Sequence, residues 1–205
     1  MDLKQFETLT QYLLSLKPQS IFDAGFGKLA WLSWCIKHNI KFEGMEIDDK
    51  LVEEGRKRFP KLAHALHQGD ITQPLPFEDN SYDIVLLVEV IEHIKTPDLV
   101  LATLKECVRI AKRKVILTTP NCSDEQLLRK YGLIYLHYTH VATEGMKFTK
   151  DRAHRHWIKF TLQNLTELLA QEFDDFTVVP KRPIKILKPV IYDKLWAEIN
   201  VPNAQ

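Results

Sequence analysis

The stretch Ser20-Ile21-Phe22-Asp23-Ala24-Gly25-Phe26-Gly27-Lys28-Leu29-Ala30 constrains this chain more than any other. It reads as a buried strand, a glycine-bearing turn and the start of a helix. Asp23 closes the apolar run, and Gly25 and Gly27 allow positive φ angles or a close backbone approach to a ligand. Such a turn either cradles a nucleotide-like cofactor or is a plain tight turn between strand and helix, and these eleven residues alone leave both readings open.

The flanking pattern supplies the context. Leu3, Phe6, Leu9, Leu13 and Leu16 are three and four apart, which predicts a helix over Asp2 to Leu16, stopped by Pro18. A helix is expected over Lys28 to His38, with Trp31 and Trp34 read as core. Lys41 to Ile47 reads as a second strand and Lys50 to Phe59 as a helix, with Asp48 or Asp49 as its N-cap. Leu62 to Gln68 is a candidate third strand. After the turn-rich loop Pro74 to Ser81, Tyr82 to Val88 is the near-continuous apolar run of a central parallel strand. Pro97 to Ala111 is amphipathic, and Lys114 to Thr118 reads as a further strand. Strands and helices alternate for about 120 residues, which argues for a parallel sheet with right-handed crossovers and a ligand at its C-terminal strand ends.

The polar candidates fall on that one edge. Glu46, at the tip of the second strand, has two oxygens able to accept both hydroxyls of a ribose, and its plainer role is to favour the N-terminus of the next helix. Asp70 and Ile71 suit an adenine edge and ring face, or Asp70 caps the following turn. Glu89-Val90-Ile91-Glu92-His93 follows the central strand.

With 205 residues, 45% of them hydrophobic, the chain fits one domain. Its 28 basic and 27 acidic residues leave a net charge of +1, which excludes a global field for nucleic acid or an anionic membrane. Cys35, Cys107 and Cys122 lack metal-type spacing and read as buried thiols, pointing to the cytoplasm. No apolar run reaches the roughly 18 residues of a membrane span, and no signal-peptide core is present, so no membrane partner is expected.

Taken together, these blocks resemble the class I S-adenosylmethionine-dependent methyltransferases, from about Ser20 to Gln171. Asp23, Gly25 and Gly27 match the family's first motif, with Leu29 where the third glycine falls, a change expected to narrow the turn's freedom. Gly44-Met45-Glu46-Ile47, Gly69-Asp70-Ile71, Leu75-Pro76-Phe77 through Val85, Glu89 to Ile94, Thr119-Pro120-Asn121 and His156-Trp157-Ile158-Lys159-Phe160-Thr161 continue the match. The resemblance implies an α/β, Rossmann-like, doubly wound, seven-stranded, mostly parallel sheet with an antiparallel last strand. Phe173 to Pro180 and Ile184 to Ile191 fit the exit pair, with Pro180 and Pro183 at turn or edge positions and Thr161 to Glu172 the helix before them. The implied cofactor is S-adenosylmethionine, held by Asp23, Gly25, Phe26, Gly27, Glu46, Ile47, Asp70, Ile71 and Glu89.

Methyl transfer from a sulfonium needs in-line placement of a nucleophile more than covalent chemistry. A general base helps a hydroxyl or ammonium acceptor, and the candidates are His93 and His156, with His154 beside them; each could equally bond the backbone or cap a helix. Glu89, Glu92, His93 and His156 also resemble the metal-binding residues of small-RNA 3′-terminal ribose methyltransferases. The same stretches resemble members without metal, and no metal ligand is assigned. The segment at about 123–155, with Tyr131, Tyr135, Tyr138 and Phe148 among Lys147, Lys150, Arg152 and Arg155, is expected to be a lid-like insertion of a single domain spanning 1–205, or to pack a dimer contact. The basic clusters Arg109 to Lys114 and Lys181 to Lys188 read as solvated faces.

The expected function is methyl transfer to an O or N atom of a small metabolite, sugar or natural-product acceptor, in a monomer or homodimer. Nucleic acid is not favoured. The alternatives are metal-assisted 2′-O-methylation of an RNA 3′-terminal ribose and an inactive methyltransferase-like scaffold. A nicotinamide-dependent oxidoreductase is disfavoured because neither Leu29 nor Trp31 supplies the small residue its fingerprint needs.

Overall fold

A computed structural model describes residues 7–123, 156–184 and 191–202. In chain order the elements are α1 (Leu9–Leu16), β1 (Ser20–Ala24), α2 (Ala30–Lys37), β2 (Lys41–Glu46), α3 (Asp49–Arg58) and β3 (Leu66–Gln68). They continue through β4 (Tyr82–Val88), α4 (Pro97–Ile110), β5 (Ala111–Pro120), α5 (Leu162–Leu169), β6 (Phe176–Ile184) and β7 (Ile191–Asn200). One seven-stranded sheet has the order β3-β2-β1-β4-β5-β7-β6. Strands β1 to β5 are parallel, and β7 runs antiparallel to both β5 and β6. The expected α/β, doubly wound, mostly parallel sheet is the one observed.

Alternation along the central strands builds two cores. Phe22, Val85, Leu87, Val115 and Leu117 pack on one face with Leu101 and Leu104 of α4 and Leu165 and Leu169 of α5. Ile21, Ile84, Leu86 and Ile116 pack on the other with Leu13 of α1, Leu32 of α2 and Val52 of α3. Burial on both faces explains why Tyr82–Val88 is apolar almost throughout. Connections from β1 and β4 leave in opposite directions along the sheet, so the cleft beyond their C-terminal ends is the place where such folds bind ligands.

Several elements depart from expectation, each for a local reason. Helix α1 begins at Leu9, where Thr8 and Gln11 form a reciprocal capping box, and residues 2–6 of the expected helix lie outside the described residues. The third strand is only Leu66–Gln68, because Pro60 starts a 3₁₀ turn over Pro60–Ala65. The last strand is Ile191–Asn200 rather than Ile184 to Ile191, and Ile184 ends β6. Pro180 and Pro183 sit within β6, which is tolerated because it is an edge strand.

The Arg109 to Lys114 cluster is no simple solvated face. Arg109 donates to Glu106, Asp79 and the carbonyls of Leu75 and Phe77, which fastens the Pro74 to Ser81 loop to α4. Arg113 donates to the Leu16 carbonyl, and Lys114 lies 3.4 Å from the buried carboxylate of Glu198, which Tyr12 also reaches. The three cysteines are free and buried, as expected, and burial pushes the thiols of Cys35 and Cys107 up to about 12. Among the described residues no helix is long and apolar enough to cross a membrane.

Candidate active site

Strand β1 delivers the chain to its glycine turn and the turn is fastened to β2. The amides of Gly25 and Phe26 both donate to the Met45 carbonyl, at 2.8 and 3.3 Å. Gly25 has φ +82, and a Cβ there would lie 2.8 Å from Cγ2 of Val90, so only glycine satisfies both the backbone and the neighbour. Gly27 has φ +49 and a Cβ there would meet nothing within 4 Å.

Leu29 has the left-handed backbone conformation that favours glycine. Its φ and ψ are 61° and 35°, left-handed, and its backbone forms the N-cap of α2. Leucine therefore takes the left-handed conformation despite its Cβ. Its side chain is buried, and a Cβ on Gly55 of α3 would lie 2.6 Å from Leu29 Cδ1. Burial of the leucine offsets a backbone cost of about 1–2 kcal/mol.

Glu46 ends β2 and binds the turn to the next helix. Its Oε2 accepts from the Gly27 amide at 2.9 Å, and its Oε1 accepts from Ile47 and Asp48 at 2.9 and 3.1 Å. A carboxylate offers about four acceptor sites, so about one remains. Asp48, not Asp49, is the N-cap of α3, accepting from the Lys50 amide at 3.0 Å.

A cavity of about 740 Å³ runs along these strand ends, within the roughly 300–1,000 Å³ range of small-molecule sites. It is lined by all nine sequence-chosen cofactor residues, Asp23, Gly25, Phe26, Gly27, Glu46, Ile47, Asp70, Ile71 and Glu89, and by His93. Ile47 is 61% exposed, an apolar side chain open to whatever fills the cavity. Asp70 turns its Oδ1 to the Thr72 amide and hydroxyl at 2.9 and 2.8 Å, so it does cap its own turn while bordering the cavity. Trp31, read as core from its helical spacing, is half-buried and also lines the cavity, as do Lys28, Leu51, Thr72, Gln73, Lys95 and Leu99. Its place in the first turn of α2, four residues after Gly27, was the available signal.

Asp23 is 1% exposed, and its Oδ2 has no hydrogen-bond partner among the described residues. Burial, with the Glu46 carboxylate adding to it, raises its pKa from 3.8 to about 8. A buried carboxyl oxygen without a partner, beside a second carboxylate and lining the same cavity as the glycine turn, fits a cationic, nucleoside-bearing group.

Beyond Val88 the backbone turns sharply at Glu89, φ 58°, and leads to a 3₁₀ turn over Ile91–His93. Glu92 is 1% exposed; Thr119 Oγ1 donates to its Oε2 at 3.0 Å, and its Oε1 has no partner among the described residues. Burial first, and then the Glu89 carboxylate, push the Glu92 carboxyl above the usual range. The amides of Trp157 and Ile158 donate to the Glu92 carbonyl, which brings His156 against His93 with ring centroids 4.7 Å apart and planes near perpendicular at 84°. The sequence-chosen histidines therefore meet, although only His93 lines the cavity. Ligand atoms of Glu92, His93 and His156 lie within 4.8 Å of one another. His154 and nearly all of the expected 123–155 insertion lie outside the described residues.

The fold and this cavity define a doubly wound α/β protein with a nucleotide-type ligand cleft. Residues 22–118 match the model of the methyltransferase domain family, and solved structures with the same fold include S-adenosylmethionine-dependent methyltransferases. The methyltransferase domain of a bacterial CtHen1 superposes with a TM-score of 0.66 at 15% identity, covering 94% of this chain and 95% of that one. A S-adenosylmethionine-dependent methyltransferase from Archaeoglobus fulgidus gives 0.66 at 14% identity, covering 94% and 92%. Magnesium protoporphyrin IX methyltransferase from Synechocystis PCC 6803, with S-adenosylhomocysteine bound, gives 0.60 at 18% identity, covering 95% and 80%. No curated protein matches the chain.

Proposed function

We propose that the chain transfers a methyl group to an oxygen or nitrogen of a small metabolite, sugar or natural-product acceptor. One observation carries this reading. The cavity that contains the glycine turn and Glu46 also contains Glu89 and His93, so cofactor-binding and proton-accepting groups share one compartment. Bound there, S-adenosylmethionine supplies a methyl already activated on a sulfonium. Gly25, Gly27 and Phe26 cradle it with backbone, and Glu46 takes a ribose hydroxyl on its open acceptor site. Asp70 and Ile71 border the adenine, and Asp23 and Glu89 favour its cationic end. His93, backed by His156, accepts the acceptor's proton at a ring nitrogen. A single domain spanning 1–205, with a lid over 123–155, would close the acceptor side.

The test is calorimetric titration with S-adenosylhomocysteine, followed by a methyl-transfer screen over hydroxylated and amino acceptors. Micromolar binding and transfer that His93→Ala reduces by about 10²-fold or more support the reading, since a positioned base is worth 10²–10⁴-fold. Binding without transfer to any acceptor, lone ribonucleosides included, refutes the small-acceptor assignment.

A second reading is favoured by the cluster of Glu92, His93 and His156 around the open Glu92 Oε1. A carboxylate and two imidazoles can hold a divalent cation, which would lower the pKa of a hydroxyl beside it and orient it. The acceptor would then be the 2′-hydroxyl of an RNA 3′-terminal ribose. Transfer to RNA ends that needs Mn²⁺ or Mg²⁺ and is lost in Glu92→Gln would select this reading. Equal rates with and without chelator would remove it.

A further inference from the structure

Glu89 lines the cavity in a left-handed backbone conformation that favours glycine, and its carboxylate is fastened at both oxygens. Thr118 Oγ1 of β5 donates to Oε1 at 2.8 Å, and Lys194 of β7 pairs with Oε2. The Glu89 amide donates to the Thr118 carbonyl at 2.9 Å. Lys194 stands opposite Pro120 on β5, two strands away from β4, and reaches across the sheet edge to Glu89. Its side chain is only 11% exposed, against 34% for Glu89. Val90 follows directly, and its Cγ2 occupies the space that a Cβ on Gly25 would need.

We propose that Lys194 is a positioning residue of the cofactor site: by holding the Glu89 carboxylate against Thr118 it sets the turn that places Val90 on Gly25 and gives the cradle its shape. This rests on the reading that Glu89 and Gly25 face the cofactor. A lysine is suited to the task because its long stem spans the distance and its ammonium balances a carboxylate that has Glu92 close by. Strand β7 thereby acts on a ligand that lies at the ends of β1, β2 and β4.

The experiment is a double-mutant cycle on S-adenosylhomocysteine affinity with Lys194→Met, Glu89→Gln and the pair, plus Lys194→Arg as the conservative variant. Circular dichroism checks that each is folded, and Lys194→Gln replaces Lys194→Met if the latter is not. Lys194→Met should weaken binding about tenfold in the unmodified background and less than about twofold once Glu89 is Gln, the non-additivity of a contacting pair. Lys194→Arg should restore affinity to within about threefold, since it keeps the charge and the reach. Equal losses in the two backgrounds, or no loss from Lys194→Met, would overturn the role of Lys194 while leaving the cofactor reading intact. No binding by the unmodified chain would overturn the cofactor reading and this role with it.

Discussion

Replacing Glu46 by Ala tests the junction of glycine turn, β2 and α3. In the native chain three backbone amides, those of Gly27, Ile47 and Asp48, converge on this one carboxylate at 2.9 to 3.1 Å. Hydrogen bonds to a charged acceptor contribute roughly 1.5–3 kcal/mol each, but these amides border a cavity where water can replace part of the loss. The net cost is therefore about 2–4 kcal/mol, a large share of a typical stability of 5–15 kcal/mol. For a chain of this size each kcal/mol moves Tm by roughly 2–4 °C, so the variant should melt about 5–15 °C lower. S-adenosylhomocysteine affinity should fall by about 5- to 150-fold, corresponding to 1–3 kcal/mol. Differential scanning fluorimetry gives the Tm shift, and calorimetric titration below the variant's transition gives the affinity. Glu46→Gln should fall between wild type and Ala, because a side-chain amide has an acceptor oxygen and a donor nitrogen, and the nitrogen must face the amide of Gly27 or those of Ile47 and Asp48. A Glu46→Ala protein with unchanged Tm and unchanged affinity would show that the carboxylate neither fastens the turn nor meets the ligand.

The remaining predictions follow from burial and backbone geometry. The pKa of Asp23 is raised on folding from 3.8 to about 8, so its share of stability is complete below about pH 4 and is lost as pH rises toward 8, at a cost on the order of 5 kcal/mol. Asp23→Asn removes this dependence, and its Tm relative to wild type should rise between pH 5 and pH 8; a pH-independent difference would contradict the assignment. Gly25→Ala should lose more stability than Gly27→Ala, about 2–4 against about 1 kcal/mol, because only the first adds a clash with Val90 to the positive φ. Urea melts of the two, ranked the other way, would refute that. Leu29→Gly relieves the left-handed backbone but empties a buried site, for a net loss of about 1–4 kcal/mol; a variant as stable as wild type would mean the leucine is not a packing element.

What could be read from sequence divides along local and non-local lines. Tyr82–Val88 was legible because a strand covered on both faces must be apolar, and the glycine turn because Gly25 and Gly27 sit where the chain passes from strand to helix. The C-terminal strand was not, because Ile191–Asn200 carries Asp193, Lys194 and Glu198, and nothing local says that Glu198 is buried against Tyr12 and Lys114. Leu62 to Gln68 looked like a strand from composition, and Pro60 won the competition by starting a 3₁₀ turn. The nine candidate cofactor residues that line the cavity were accessible through motif order at strand ends. Lys194 was inaccessible, because its partner Glu89 lies over a hundred residues away and meets it only through sheet pairing. Trp31 was legible only in part: helical spacing identified the face that packs on the core, and the same side chain also borders the cavity.

The leucine at position 29 has a wider consequence. A bend that ordinarily needs glycine can instead be held by a large side chain, provided that the neighbouring helix yields the space, as α3 does at Gly55. The requirement for a missing Cβ has in effect moved across the interface, 26 positions along the chain. A search that scores only the loop would count one defect in the loop and one weak residue in the helix, whereas the two are halves of a single fitted joint. Enlarging Gly55 to Ala should be tolerated only together with a smaller residue at 29, and the reciprocal exchange, small at 29 and large at 55, is the form in which relatives of this chain would keep the same bend.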